Sequence, residues 1–289
     1  MNYTLVLTAA LGALDDGSVK TVSAVAGVSP HWLAPGTACE FRISDPALVE
    51  KVRNALAGAP IDANVVPLDR RRKRLLIADM DSTIIGCECI DEIADFAGIK
   101  PQIAAITERS MRGEIPFESA LRERVSLLKG LPQNTLDRVF VERVRLNDGA
   151  RILVRTMAEF GATTALISGG FTFFTSRVAE AAGFATHQAN ELIVENGKLA
   201  GTVREPILGR EAKREALLRL AREDKIDLQD TLAIGDGAND LAMIGEAGLG
   251  IAYRAKPIVA AAAAARLDHS DLTAVLYLQG FRETELVMD

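Results

Sequence analysis

Four short, mostly apolar runs punctuate the second part of this chain, at residues 75–78, 163–167, 231–234 and 249–252. Runs of this length without polar alternation fit strands buried on both faces. Helical periodicity fills the stretches between them, and alternating strands and helices predict an α/β fold with a parallel, doubly wound sheet. The first three runs each end in a polar residue: Asp79, Ser168 and Asp236. Open α/β sheets bind ligands outside the carboxyl ends of their strands, so the pattern alone marks one sheet edge as a site.

Between Ile90 and Arg145 no strand signal appears. Helical spacing covers residues 90–97, 101–111, 116–128 and 132–144, punctuated by Gly98, Gly113 and Gly130. Such a stretch is too long for a simple crossover. It predicts a helical cap over about residues 88–147, inserted after the first core strand and placed to exclude water from the site. Residues 191–203 carry Asn196-Gly197 between apolar patches, a hairpin signal, and residues 259–265 read as a packed helix. Residues 1–70 form a separate small α/β domain ahead of the larger domain at 71–289. Its expected strands are residues 3–7, 39–43 (alternating, with one solvated face) and 64–67, with helices near 18–28 and 47–56.

The chain has 289 residues, 48% of them hydrophobic and 25% charged, enough to bury a sizeable core. A net charge of −6 argues against nucleic acid as the main partner. The basic run Arg70-Arg71-Arg72-Lys73-Arg74 reads either as a nucleic-acid or membrane contact or as a solvated linker; the acidic balance elsewhere favours the linker. No run approaches the ~18 apolar residues of a membrane span. The N-terminus lacks a basic region ahead of Asp15-Asp16, which leads to the expectation of a cytoplasmic protein without a membrane partner. The three cysteines, Cys39, Cys87 and Cys89, make no disulfide framework, and Cys87-Glu88-Cys89 lacks zinc-pair spacing, so they read as packed thiols. Nothing excludes a homodimer.

The chemistry concentrates at the strand ends. In Asp79-Met80-Asp81-Ser82-Thr83, two carboxylates repel each other unless a cation or proton intervenes. Mg²⁺ suits oxygen ligands and often brings a substrate phosphate with it. One carboxylate can then attack phosphorus while the other handles protons. Alone, the pair reads equally as a solvated turn or a helix cap. Ser168-Gly169-Gly170-Phe171 offers a hydroxyl and close backbone approach to a phosphoryl oxygen, or a plain turn. Gly235-Asp236-Gly237-Ala238-Asn239-Asp240 adds two more carboxylates with glycines around them. Asp236 would complete an oxygen-rich Mg²⁺ shell with Asp79. Asp240 would orient Lys213 or a metal-bound water, and Asn239 would contact substrate or that lysine.

In this order, DMDST, SGGF, Lys213 and GDGAND resemble the motifs of the haloacid dehalogenase superfamily of phosphotransferases, whose signature is D-x-D-x-[TV] after the first strand. The resemblance implies a Rossmann-like core and Asp79 as a nucleophile that forms an aspartyl-phosphate. It implies Asp81 as general acid and base, its main-chain carbonyl also reaching the metal. It implies Lys213 as the cation neutralising nucleophile and phosphoryl group, with Arg210 and Arg214 as competitors. At the mouth of the cap, Glu88 and Arg124 suit the ammonium and α-carboxylate of an amino acid. Their plainer readings are a helix-capping glutamate and a surface salt bridge. With Glu88, the stretch from Met111-Arg112-Gly113 to Leu128 resembles the phosphoserine phosphatase family over roughly residues 74–280. That likeness implies Met111 and Phe117 as apolar walls, a four-helix cap and Mg²⁺ dependence. It also implies hydrolysis of O-phospho-L-serine to serine and phosphate, the last step of serine biosynthesis. Phosphoryl transfer to an alcohol such as homoserine, or another small-molecule phosphatase activity, is the alternative. Residues 1–70 loosely resemble the regulatory ACT domains attached to some members.

Overall fold

The computed structural model describes residues 2–111, 114–209 and 211–288. The chain opens with β1 (Tyr3–Ala9), α1 (Asp16–Ala26), β2 (His31–Ala34), β3 (Ala38–Ile43), α2 (Leu48–Ala55) and β4 (Ile61–Pro67). The strands form an antiparallel sheet in the order β2-β3-β1-β4. Local signals set the first helix: Asp15 caps it by accepting the Ser18 N–H, and Gly27 ends it in the left-handed region.

The larger unit begins with β5 (Leu75–Ala78), followed by α3 (Cys89–Phe96), α4 (Lys100–Met111), α5 (Phe117–Ser126) and α6 (Asn134–Arg143). The chain returns through α7 (Ala150–Glu159), β6 (Thr163–Phe171), α8 (Thr172–Ala182) and β7 (Thr186–Asn190). A hairpin of β8 (Leu192–Glu195) and β9 (Lys198–Val203) turns on Asn196 and Gly197, both at positive φ, as the Asn-Gly pair predicts. Then come α9 (Ala212–Glu223), β10 (Thr231–Gly235), α10 (Leu241–Glu246), β11 (Leu249–Tyr253), α11 (Pro257–Ala262), β12 (Ala265–Leu267) and α12 (Ala274–Leu278). Six strands make one parallel sheet, β12-β11-β10-β5-β6-β7. The alternation of side chains across the pleat divides β5 between two cores. Leu76 and Ala78 join the core under the cap helices, α7, α8 and α12, while Leu75 and Ile77 face α9, α10 and α11.

The fold is the predicted parallel α/β core with a helical insertion and a small N-terminal α/β unit. Three short strands, β2, β7 and β12, carry no period or apolar run that sequence reading detects. The stretch 259–265 is the end of α11 and then the start of β12 rather than one helix.

The strand β3 departs from expectation in an informative way. On its predicted solvated face Arg42 is exposed, but Glu40 turns towards the larger unit and is only 4% exposed. Arg71, from the basic run, pairs with that carboxylate at 2.5 Å. The same guanidinium donates to the carbonyls of Leu278 at 2.7 Å and Tyr277 at 3.0 Å. Three other members of the run make contacts nearer the surface: Arg70 pairs with Asp227, Arg72 with Glu285 while covering the Phe281 ring, and Lys73 donates to the Gln229 carbonyl. The linker is therefore a clamp. Asp62 adds to it by accepting main-chain N–H groups of Asp268, His269 and Ser270.

Removing Arg71 leaves Glu40 buried without its closest cation, a loss worth about 3 kcal/mol. Arg71→Ala should lower the thermal midpoint by roughly 6–12 °C, whereas the exposed Arg74→Ala should change it little. Equal midpoints for the two variants in a calorimetric scan would refute the clamp.

Candidate active site

Asp79 follows β5 directly, its N–H still bonded to the Ile234 carbonyl at 3.0 Å, so the sheet itself fixes its position. Its side chain is buried. Oδ1 accepts both the Met80 N–H and the Lys213 ammonium, each at 2.7 Å. Among the described residues no hydrogen bond is made to Oδ2. Residues 80–84 then form one tight turn, closed by the Ile85 N–H on the Met80 carbonyl, with Ser82 at φ 57°. The turn directs the Asp81 carboxylate away from Asp79. Its Oδ1 accepts the Cys89 N–H at 2.9 Å, and its Oδ2 accepts the Ser168 hydroxyl at 3.2 Å.

Lys213 rises from the first turn of α9, whose Ala216, Leu217 and Leu220 pack into the core. Its ammonium is shared between Asp79 and Asp240. Asp240 is wholly buried and uses both oxygens within the protein: Oδ1 on Lys213 and Oδ2 on the Gly237 N–H at 3.0 Å. This packing needs Gly235, because a Cβ there would lie 2.4 Å from Asp240 Cγ. Gly170 is required for the same reason: a Cβ would come within 2.8 Å of Asp81 Oδ2.

Oxygens of Asp79, Asp236 and Asp240 lie within 4.8 Å of one another. Lys213 pairs with two of these carboxylates. Burial and then Asp240 push the Asp79 carboxyl well above its ordinary range, against the pull of Lys213. Burial lowers Lys213, but Asp240 and Asp79 more than offset it and raise it. Burial, then Asp240 and Glu88, lift Asp236 to about 6. Burial, then Glu88, lift Asp81 to about 7, opposed by its bonds from Cys89 and Ser168. A set of all-oxygen donors with this excess of negative charge fits a hard divalent cation. Asp79 and Asp236 have oxygen atoms to give it; Asp240 is already spent on Lys213 and Gly237.

Phe117, Ser168, Gly169, Leu208, Lys213 and Asn239 line one small cavity beside this cluster. The Phe117 ring lies against Gly169, so the start of α5 touches the C-terminal end of β6. On the cap side, Glu88 is exposed and accepts the Ser82 hydroxyl at 2.7 Å. Arg124, in the last turn of α5, makes two long hydrogen bonds, to the Ala120 carbonyl at 3.3 Å and the Thr107 hydroxyl at 3.5 Å. It stands within electrostatic reach of Asp91, Glu88 and Asp81, and burial, the largest influence, lowers its pKa. Of the competitors to Lys213, Arg214 turns to Glu246 at 2.8 Å. Arg210, Arg112, Gly113 and the Met111 side chain lie outside the described residues.

Sequence reading passed over three residues that shape the site. Asp91 faces Arg124 from α3. Asn147 donates its side-chain N–H to the Thr83 carbonyl at 2.7 Å, holding the turn after Asp79. Asn190 is 2% exposed and bridges Gly169 to Leu208. Each is a single polar residue in an ordinary helix, loop or strand-end context, with no spacing to distinguish it.

The haloacid dehalogenase-like hydrolase family matches residues 76–245. A phosphoserine phosphatase of Archaeoglobus fulgidus is 46% identical over 65% of this chain, which spans 55% of that protein's length. One from Polaromonas sp. is 45% identical over 71% of this chain and 89% of its own. Among solved structures, a phospho-aspartyl intermediate analogue of phosphoserine phosphatase superposes with a TM-score of 0.66 at 40% identity. It covers 71% of this chain and 98% of its own.

The electrostatics give a stability prediction. Asp236 binds its proton more tightly folded, at about 6, than unfolded, at 3.8. The stability this proton confers is present below the unfolded value and is lost as pH rises through about 6. With divalent cations chelated, Asp236→Asn should therefore melt a few degrees above the wild type at pH 8, the gap closing as pH falls towards 4. A variant that melts lower than the wild type at pH 8 would contradict the charge excess.

Proposed function

The chain belongs to the haloacid dehalogenase-like hydrolase family, and from that premise we propose that it hydrolyses O-phospho-L-serine to serine and phosphate. The observation that carries the reading is the two-donor hold on Asp79 Oδ1, which leaves Oδ2 as the attacking oxygen. Oδ2 attacks phosphorus and the bond to the serine oxygen breaks. The leaving alkoxide takes its proton from Asp81, whose carboxyl, lifted to about 7, can hold one near neutrality. An aspartyl-phosphate on Asp79 results. Asp81, now a base, accepts a proton from water as that water attacks phosphorus, which frees phosphate and restores Asp79. Lys213 offsets the charge on Asp79 throughout, and Asp240 keeps it aimed there.

Asp79 and Asp236, with the main-chain carbonyl of Asp81, would hold Mg²⁺. When bound, it supplies charge neutralisation at the phosphoryl oxygens. Ser168 and Gly169 border the phosphoryl cavity, and Asn239 lines it beside Lys213. The amino-acid end falls to the cap. Among the described residues the half-buried Arg124 guanidinium makes two long bonds, and an α-carboxylate would give it a better acceptor. Glu88 takes the ammonium, and Phe117 forms an apolar wall. Three free thiols and a small polar substrate suit a cytoplasmic enzyme.

Phosphate release from O-phosphoserine should require Mg²⁺ and disappear in Asp79→Asn. Mg²⁺ should also raise the wild-type thermal midpoint and leave that of Asp236→Asn nearly unchanged. Metal-independent turnover, or an undiminished variant, would overturn the mechanism. Arg124→Ala should raise KM for O-phosphoserine at least tenfold while changing KM for p-nitrophenyl phosphate little. An equal rise for both esters would assign Arg124 to the fold instead of the substrate.

A further inference from the structure

Asn190 ends β7 at the same sheet edge as Asp79, and its side chain is buried with both polar atoms used. Nδ2 donates to the Gly169 carbonyl at 2.8 Å, and Oδ1 accepts the Leu208 N–H at 2.8 Å. Gly169 and Leu208 both line the cavity beside Lys213. The Gly169–Gly170 peptide is held at its other side as well, because the Gly170 N–H donates to Ser168 Oγ at 2.9 Å. The Ser168 hydroxyl in turn donates to Asp81 Oδ2. The bonds run in one direction: the Asn190 amide to the Gly169 carbonyl, the Gly170 N–H to Ser168, and the Ser168 proton to Asp81.

Resting on the phosphoryl-transfer reading above, we infer that Asn190 is a positioning residue for the reaction, acting through Ser168. Its amide fixes the Gly169–Gly170 peptide plane. That plane presents its N–H to one lone pair of Ser168, so the hydroxyl proton is directed into the site, at Asp81 or at a phosphoryl oxygen. Through Oδ1, the same side chain locks the Leu208 segment that leads into the Lys213 helix. Two loops far apart in sequence are thereby kept in register across the cavity. A hydrogen-bonded peptide is polarised by its partners, so each bond in such a chain strengthens the next.

The role is common to every phosphate monoester, which separates it from recognition of the amino acid. Asn190→Ala should lower kcat about tenfold, the scale of one buried hydrogen bond, and by the same factor for O-phosphoserine and p-nitrophenyl phosphate. Asn190→Asp keeps an acceptor for Leu208 but removes the donor to Gly169, and should lose as much. The decisive readout is the double-mutant cycle with Ser168→Ala, run on folded enzyme titrated by circular dichroism. In the Ser168→Ala background, Asn190→Ala should cost less than threefold. The same tenfold loss in both backgrounds would overturn a role through Ser168, as would an unaltered kcat. Failure of both Asn190 variants to fold would make the residue structural and sink the inference too. If the wild type turns over p-nitrophenyl phosphate but not O-phosphoserine, the substrate reading fails while the cycle still decides Asn190. Turnover of neither ester overturns both.

Discussion

One ammonium shared by two buried carboxylates organises this protein. Lys213 sits 2.7 Å from Asp79 and is also paired with Asp240, and none of the three is more than 5% exposed. Burying charges is costly unless each is paired and hydrogen-bonded. The surrounding sequence supplies those partners from the ends of two adjacent parallel strands, β5 and β10, and from the helix α9 packed beneath them. Gly235 has no side chain because the Asp240 carboxylate occupies that space, and the Gly237 N–H satisfies its second oxygen. The balance still leaves more anions than cations. That imbalance makes the pocket suited to a divalent cation and a phosphoryl group; burial, and after it neighbouring carboxylates, raise Asp81 and Asp236.

In the proposed function the cap recognises what the phosphate is attached to. The pocket proposed for the phosphoryl group is built from strand ends, whose positions are fixed by sheet register. The pocket proposed for the amino acid is built from side chains on or beside helices: Glu88 just before α3, Asp91 within it and Arg124 on α5. The two pockets meet where the Phe117 ring lies against Gly169. Arg124 lies about two turns further along the same helix as Phe117, so a single rigid element links the Gly169 contact to Arg124.

What the sequence made legible was chemistry placed at the ends of strongly apolar runs. Asp79 and Asp236 stand out because buried strands precede them, and the parallel sheet follows from the same runs. The cap helices are legible from their period and their glycines. Other features were hidden for identifiable reasons. The basic run at 70–74 has the composition of a solvated linker, and only the folded chain shows Glu40 beneath Arg71. The reading of β3 as half solvated holds at Arg42 and misses Glu40, because alternation records polarity and not what a polar residue meets. Asn190 could not be found at all. Its importance comes from Gly169 and Leu208, residues distant in sequence whose main chains converge only in three dimensions.

The sheet order separates the work of stability from the work of the site. Asp79, Ser168 and Asp236 issue from β5, β6 and β10, three strands with a hydrogen-bonded neighbour on each side. Interior strands are the least able to shift or fray, and this suits a cluster whose charges repel. The edge at β12, by contrast, is spent on docking the N-terminal unit. There Asn64 pairs through its amide with both the N–H and the carbonyl of Arg266, imitating one more strand. An exposed strand edge invites pairing with other chains, so this contact closes a liability and ties the small unit down in one step. The electrostatic cost of the centre is thus borne by a sheet whose outer strand is held from outside. The N-terminal unit thereby braces β12, and among the described residues none of its own lines the cavity beside Lys213.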